Sequence, residues 1–517
     1  MLKLKKTVIM TLIAGMTISM VACSSGETTG KEGNKPGESN KTGESNKPAE
    51  PVTVRILIDK TTNFPEDNTV VQEIRKRTGV NVQFLTVDSP DLETKLNTMI
   101  ASNDMPDAFL NPNKAKIKDL VSNQVIIPMD DLMKTYGKNI TDNKGSILKG
   151  AAQVDGKVYG IPRGWGFGNA LTIRKDWLDK LKLPVPKTID EYYTVLQAFA
   201  NQDPDGNGKK DTIGVGAYFA GGKESDVYST FAHIFAAYGV PVGRGKLIDG
   251  KVIPWLLQPG FMDGIKFLNK LYKEGLVDPE FTTISNLKEF EKLWNGKMGT
   301  FEFTPNGTTQ NWLTRYVEDP KPQFEFTVIK GPNNQGGTQR LYLEDSGPWM
   351  HISKASKHPE EVMKVLDFLI SDEGDKLTWA GIENKHYKME NGKFEWIKPY
   401  DDAASLRNEG GFAYNGVMNR INGFSVQLLN DQTKAGLKLS ADNTIEDAYL
   451  YDIPEVERNS GKILQDITKE GFTSLIVSKG DLDKEYESFK TKYLDAGGQQ
   501  WIEQATEIYK KENPDKK

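Results

Sequence analysis

From Val52 onward, short runs of alternating apolar and polar positions are separated by stretches of helical period. "VTVRILID" sets Val52, Val54, Ile56 and Ile58 on one face, the two-residue period of a strand. A helix is predicted next. Thr69 and Gln72 have capping-box spacing, Arg75–Arg77 fall in the last turn, and Gly79 closes it. "VNVQFLTV" alternates Val80, Val82 and Phe84 as a second strand. "SPDLE" opens a second helix, with Pro90 in its first turn and Leu92, Leu96, Met99 and Ile100 on one side. "DAFL", Asp107–Leu110, is a third short strand. Strand–helix–strand–helix–strand implies right-handed crossovers, hence a parallel sheet covered by helices.

The texture returns further on. "NALTIRKDWLDKLKL" reads as a strand running into a helix. Thr188 and Glu191 form a capping box ahead of "IDEYYTVLQAFA". "GFMDGIKFLNKLYKEG" is a helix closed by Gly275, and "HPEEVMKVLDFLIS" starts on Pro359 with Val362, Val365, Leu366 and Leu369 on one face. The end predicts two polar-rich helices broken at Gly497–Gly498. The fold class is α/β with two sheets, and 517 residues exceed what one core supports. No internal linker marks a border, so the chain is expected to cross between lobes more than once.

The first fifty residues differ. Met1–Cys23 has a basic head at Lys3, Lys5 and Lys6, then an apolar run from Thr7 to Met20 too short to span a membrane. That is the layout of a secretory signal, expected over 1–22. "MVAC" resembles a bacterial lipobox, with Met20 where leucine is usual, and marks Cys23 for lipidation. Cys23 is the sole cysteine, so no internal disulfide forms. The segment 23–51 repeats "NKPGES", "NKTGES", "NKPAEP" with almost nothing to bury. It is expected to be a disordered tether with a reach of about 30 Å.

Composition removes several classes. Hydrophobic content of 37% and charged content of 26% are ordinary for a soluble protein. A net charge of −5 gives no basic surplus to draw nucleic acid. Four histidines form no HExxH, and no Cys/His cluster points to zinc. One stretch does have metal-ligand spacing. "DPDGNGKKD" places Asp203, Asp205, Asn207 and Asp211 at calcium-loop positions 1, 3, 5 and 9, with the Lys209 carbonyl at 7 and Gly208 at 6. Gly214 stands where a bidentate glutamate belongs, and a β-like stretch follows, so an EF-hand pair is excluded. A structural calcium is expected, against the alternative of a solvated Asp/Asn/Gly turn.

The lipobox and tether, then "SNDMPDAFL", "KVYGIPRG", "LYKEGLVDPEF", "WNGKMG", "HPEEVMKVLDFLISDEG" and "GIENKHY", appear in an order that resembles the extracellular solute-binding lipoproteins of bacterial carbohydrate ABC importers. Lipoproteins of Bacillus-like bacteria and the alginate-binding proteins are similar. The resemblance implies a two-lobed periplasmic-binding-protein fold of the maltose-binding-like class, each lobe a mixed sheet flanked by helices. Residues 52–165 with 297–345 would form the N-terminal lobe, 166–296 with 346–470 the C-terminal lobe, and 471–517 helices packed on them. It also implies hinge closure on ligand, no enzymatic activity, separate permease subunits, a monomer, and a calcium loop like Asp203–Asp211. The place implied is the outer face of the cytoplasmic membrane.

A sugar cleft needs aromatic faces for C–H stacking beside paired polar groups. Asn111 and Asn113 follow the third strand, at the C-terminal end where α/β sheets place ligands. "PRGWGFGN" offers Arg163, Trp165 and Phe167, "FEFTPNGTTQNW" offers Glu302 and Trp312, and "EDSGPWM" offers Trp349. Trp177, Trp294 and Trp379 sit on helical patterns and are expected in cores; His386 and Tyr387 are further candidates for the cleft. Two other readings stay open: the same fold binding a peptide or other small solute, and a secreted polysaccharide-active enzyme, for which no activated-nucleophile signature is present.

Overall fold

Val54, Ile56, Leu57 and Ile58 are all buried in the first strand, so both of its faces are covered, as a parallel sheet requires. In the computed structural model, residues 51–60, 63–145, 147–148, 153–164, 168–220, 226–227, 229–305, 317–318, 321–339, 348–421 and 423–515 are described, with only the backbone of 286 and 287. The signal, the tether and Cys23 lie outside them.

The strands of the two larger sheets are numbered in chain order: β1 Thr53–Lys60, β2 Asn81–Asp88, β3 Ala108–Asn111, β4 Ile161–Pro162, β5 Ala170–Arg174, β6 Ile213–Val215, β7 Met298–Phe303, β8 Phe324–Thr327 and β9 Trp349–Ile352. The first sheet runs β2-β1-β3-β9-β4. β1 is parallel to β2 and β3, and β9 is antiparallel to β3 and β4. The second runs β8-β5-β7-β6, with β5 antiparallel to β7 and β8 and β7 parallel to β6. Each sheet carries its own core. Val54, Ile56, Phe109, Met350 and Leu366 belong to one. Leu171, Phe235, Trp255 and Phe261 belong to the other. The result is a two-lobed α/β fold.

Sheet membership corrects the expected division of the lobes. Residues 297–345 were assigned to the first lobe, yet β7 and β8 both pair with β5 of the second. Residues 346–470 were assigned to the second, yet β9 inserts between β3 and β4, and helix Pro359–Ile370 buries Val362, Val365, Leu366 and Leu369 in the first core. Helices Glu455–Val477 and Leu482–Tyr493 pack on the second core through Phe472, Leu475 and Phe489. The chain passes between the lobes more than once.

Helix Ile189–Asn201 has the capping box at Thr188 and Glu191. Helix Thr69–Thr78 is capped by Asn68 instead, one residue before the expected Thr69: the Asn68 side chain accepts the Val71 N–H at 2.9 Å, while the Thr69 hydroxyl donates to Glu409. Gly79 closes this helix at φ 70. The last two helices are broken at Gly497, φ 125. Tyr387 is buried in a satellite cluster with Phe394 and Phe424, and the buried His386 meets Tyr400 edge-on while its Nδ1 accepts the Ile382 N–H at 2.7 Å; neither lines the cavity described below, which corrects their candidacy for the cleft.

Candidate functional site

A cavity of about 450 Å³ opens between the ends of the two lobes. One wall is the turn after β3, Pro112 to Ala115, with Trp349 at the start of β9 and Glu93 from helix Leu92–Ser102. The facing wall is Gly243–Gly245, the stretch Ala448–Pro454, Glu457 and Trp501.

The first wall is built by two asparagines. The Asn111 side chain lies fully buried and spans the turn: its Oδ1 accepts the Asn113 N–H and its Nδ2 donates to the Asn113 carbonyl, both at 3.0 Å. The Asn113 Oδ1 then accepts the Ala115 N–H at 3.1 Å, starting a 3₁₀ turn, and its Nδ2 donates to Glu93 at 3.2 Å. Beneath them, His351 donates from Nδ1 to the Tyr159 carbonyl at 2.7 Å, leaving Nε2 to face the Asn111 amide at 3.5 Å. Burial pushes the His351 pKa down to about 4, so the ring is neutral at pH 7. Trp349 is 3% exposed and packs on Ile117 and Val154, and its indole N–H has no acceptor among the described residues. A buried donor on a cavity wall is an expensive group to leave unpaired, and a ligand hydroxyl would satisfy it.

The second wall is held by an antiparallel bridge, the Ala448 N–H donating to the Gly245 carbonyl at 2.7 Å. Gly245 is required there, since a Cβ would lie 2.4 Å from Val252 Cγ1. The Tyr449 ring carries Lys114 Nζ 5.4 Å and the Arg244 guanidinium 5.2 Å from its centroid, and meets Tyr451 edge-on at 5.0 Å. The Trp501 indole donates to Glu457 at 2.8 Å. Lys114 Nζ to the Leu450 carbonyl at 3.4 Å, and Lys118 to Asp452 at 2.6 Å, tie one wall to the other. Aromatic faces, amides and carboxylates around one cavity suit a ligand rich in hydroxyls and C–H faces.

The structure brings two of the sequence candidates to the cavity, Asn113 and Trp349. Three lie elsewhere. Asn111 shapes the turn from below. Arg163 is turned into a two-pronged pair with Asp59, and its carbonyl accepts the buried Lys144 ammonium at 2.8 Å. Glu302 is buried in the second lobe with its Oε2 3.1 Å from His233 Nδ1, in ion-pair distance but not aligned for a hydrogen bond. Trp165, Phe167 and Trp312 lie outside the described residues. Sequence reasoning missed Lys114, Arg244, Tyr449, Glu457 and Trp501; aromatic residues beside a proline in the polar stretch "AYLYDIP" were the available signal.

The aspartate loop lies in the second lobe. Asp203 accepts backbone N–H groups from Gly206, Asn207 and Gly208 at 3.0–3.1 Å. Against the opposing effect of desolvation, the Gly208 N–H and its neighbours hold the Asp203 pKa below the usual carboxylate range. The Asn207 amide donates to Asp205 at 2.7 Å and to Asp211 at 3.0 Å, and its Oδ1 accepts the Lys209 N–H at 2.7 Å. Gly206 and Gly208 take φ 76 and 75, the sharp turns such a loop needs. Among the described residues no three His, Cys, Asp or Glu side chains converge as a ready cage. The Lys297 ammonium sits 2.7 Å from Asp211 and 3.5 Å from Asp205, a positive charge standing against the two carboxylates. The all-oxygen donor set of Asp203, Asp205, Asn207, Asp211 and the Lys209 carbonyl fits a hard cation.

Among proteins similar to this chain, lipoprotein LipO of Bacillus subtilis (strain 168) is 25% identical over 457 residues, spanning 85% of this chain and 88% of the relative. The substrate-binding protein FusA of S. pneumoniae, solved with kestose, shares the fold at TM-score 0.69 and 21% identity, over 90% of this chain and 100% of that one. An EF-hand mutant of FusA has also been solved. The alginate-binding protein AlgQ2, solved without calcium ion, gives TM-score 0.68 and 20% identity over 89% and 98%. The sequence profile of the bacterial extracellular solute-binding proteins matches residues 61–376, and the chain belongs to that family.

Proposed function

We propose that this chain is a tethered extracellular receptor that captures an oligosaccharide in the cavity between its lobes and delivers it to separate ABC permease subunits. The observation that carries the reading is the cavity itself, walled by Trp349 and Asn113 from one lobe and by Tyr449 and Trp501 from the other side. A ligand touching both walls favours the closed arrangement, because it binds that state better than one in which the walls are apart. The Lys114–Leu450 and Lys118–Asp452 contacts cross between the walls, and opening would break them.

Three finer assignments accompany this. The chain binds and releases its ligand without chemistry. Cys23 carries the lipid that holds the globule to the outer face of the membrane, in keeping with the lipoprotein named among its relatives. The Asp203–Asp211 loop holds a structural calcium through Asp203, Asp205, Asn207, Asp211 and the Lys209 carbonyl, which would stiffen the second lobe away from the sugar; the calcium and EF-hand named for AlgQ2 and FusA support it. Isothermal titration of the mature chain with neutral and acidic plant, algal and bacterial oligosaccharides tests the reading. Saturable binding with the glycan recovered unchanged is expected. Binding of peptides with no response to any glycan would replace it.

A further inference from the structure

We propose that lobe closure expels a proton, and that the proton comes from the side-chain amine of Lys144, which is roofed by a segment crossing between the lobes. The inference rests on the receptor reading and adds a proton to its conformational change.

The two sheets fix where the crossing lies. β4 ends at Pro162 in the first and β5 begins at Ala170 in the second, so residues 163–169 lead from lobe to lobe. At the first-lobe end the Arg163 N–H donates to the carbonyl of Pro348, the residue before β9, at 3.0 Å. At the second-lobe end a Cβ on Gly168 would lie 2.7 Å from the carbonyl oxygen of Gln339, whose side chain is held by Val242 of the second core. Two passages of the chain are thus pinned together at both ends.

Lys144 ends helix Lys138–Lys144 in the first lobe. Its side chain is wholly buried, and its Nζ donates to the Arg163 carbonyl at 2.8 Å. An ammonium carries three N–H donors, and this carbonyl is the acceptor that the described residues offer. Burial alone pushes the Lys144 pKa down to about 7. The charged groups on the elements around it are engaged elsewhere. Arg163 is paired with Asp59 of β1, and Lys138 with Asp142 on the same helix as Lys144. Asp367 of helix Pro359–Ile370 accepts the Ile140 N–H at 3.0 Å and the Asn139 amide at 2.7 Å. On helix Asp130–Tyr136, Asp130 accepts the Val158 N–H at 3.0 Å, while Asp131 and Lys134 are exposed. Beside Ile421, which Asn143 holds, Arg420 pairs with Asp372 at 2.9 Å.

The cover over the amine is the crossing itself. Gly164 takes φ 70, and a Cβ there would lie 2.8 Å from the Lys144 Nζ. Glycine lets the backbone come this near, and the same freedom lets it turn when the lobes move. Rotation at this point would lift the Arg163 carbonyl from the amine and admit water. The amine then returns to the ordinary lysine range and takes up a proton, which closure strips off again. Between about pH 7 and the ordinary value near 10.5 the closed state binds fewer protons than the open one, so closure is favoured as pH rises through that window.

The test is titration calorimetry of the mature full chain with fructo-, xylo-, manno- and galacturono-oligosaccharides. The tightest binder is then titrated in two buffers of different ionisation heat, which counts the protons exchanged. The wild-type chain is expected to release close to one proton per glycan at about pH 8.5 and almost none at about pH 5.5. Its affinity should rise about tenfold or more between about pH 7 and 9. Lys144→Gln, which keeps an N–H for the Arg163 carbonyl, should bind the glycan without releasing a proton and with nearly flat affinity over that range. Lys144→Met makes the same comparison with an apolar side chain, so the result does not hang on one variant folding. Equal proton release by wild type and variants, or none from wild type at about pH 8.5, overturns the assignment and leaves the receptor reading standing. Binding of no glycan overturns both.

Discussion

Trp349 stands directly across from Asn111 in the antiparallel register of β9 and β3, with Pro162 of β4 on its other side. That pairing brings the indole to the end of the sheet where the Asn111–Asn113 turn begins, so both become part of one wall. Replacing Trp349 by alanine would remove a buried ring at about 3–5 kcal/mol and confound folding with binding. Trp349→Phe keeps an aromatic ring against Ile117 while removing the N–H donor and part of the indole's buried volume. Glycan affinity is expected to fall about fivefold to tenfold, the worth of one hydrogen bond of roughly 1 kcal/mol, with a smaller loss of stability than the alanine variant shows. Calorimetry on the two proteins checks this, and equal affinities would remove the indole N–H from the ligand's partners.

The turn beneath the cavity gives the protein an acid sensitivity of calculable sign. The His351 pKa of about 4 lies below its ordinary value near 6.5, so between those pH values the unfolded chain binds more protons than the folded one. Stability therefore rises with pH across that window and is lost as pH falls through it. In His351→Gln the slope of urea midpoint against pH between about 4 and 6.5 should flatten. Parallel slopes for the two proteins would show that the ring does not carry the effect.

Calcium should stabilise the second lobe. At a free concentration of a hundred times Kd, a bound ion contributes about 2.7 kcal/mol. Chelator-treated protein is expected to melt lower than calcium-loaded protein, and Asp205→Asn, which removes a charge while keeping shape, should abolish most of the difference. Identical melting curves with and without calcium would reduce the loop to a turn held by its own N–H groups and Lys297.

The capping box of helix Ile189–Asn201 is a cleaner probe of the same lobe. Thr188→Ala leaves the Glu191 N–H, now 3.2 Å from the threonine hydroxyl, without its acceptor. A loss of about 1 kcal/mol is expected, read by denaturant unfolding, with glycan affinity unchanged. A loss near zero would show that solvent replaces the cap at this exposed end.

What could be read from the chain alone was whatever is local. The alternation of Val54, Ile56 and Ile58, the Thr188–Glu191 box and the Gly497 break each depend on neighbours a few positions away, and each is present in the fold. The lobe borders were misread because nothing within β7 or β9 states which sheet it joins. That choice is made by Ala170–Ile173 for one and by Asn111 for the other, far off in sequence. The cavity shows the same division. Asn113 was legible as the end of a strand. Arg244 and Tyr449 were not, since their meeting depends on the Gly245–Ala448 bridge between distant turns. Glu302 was offered with the stretch "FEFTPNGTTQNW", yet it lies within β7 between Phe301 and Phe303, buried toward His233.

The position of β9 has a consequence for how the molecule comes into being. The strand that fills the gap between β3 and β4 is made after every strand of the other sheet. During synthesis or export, amino end first, β3 and β4 wait with open edges while the second lobe is completed. Contacts of such long sequence separation form slowly. The growing chain thus stays unfinished, and open to threading through a narrow channel, until late. When β9 docks, it closes the first sheet and sets Trp349 into one cavity wall in one step, and the facing wall, from Ala448 to Trp501, is supplied later still.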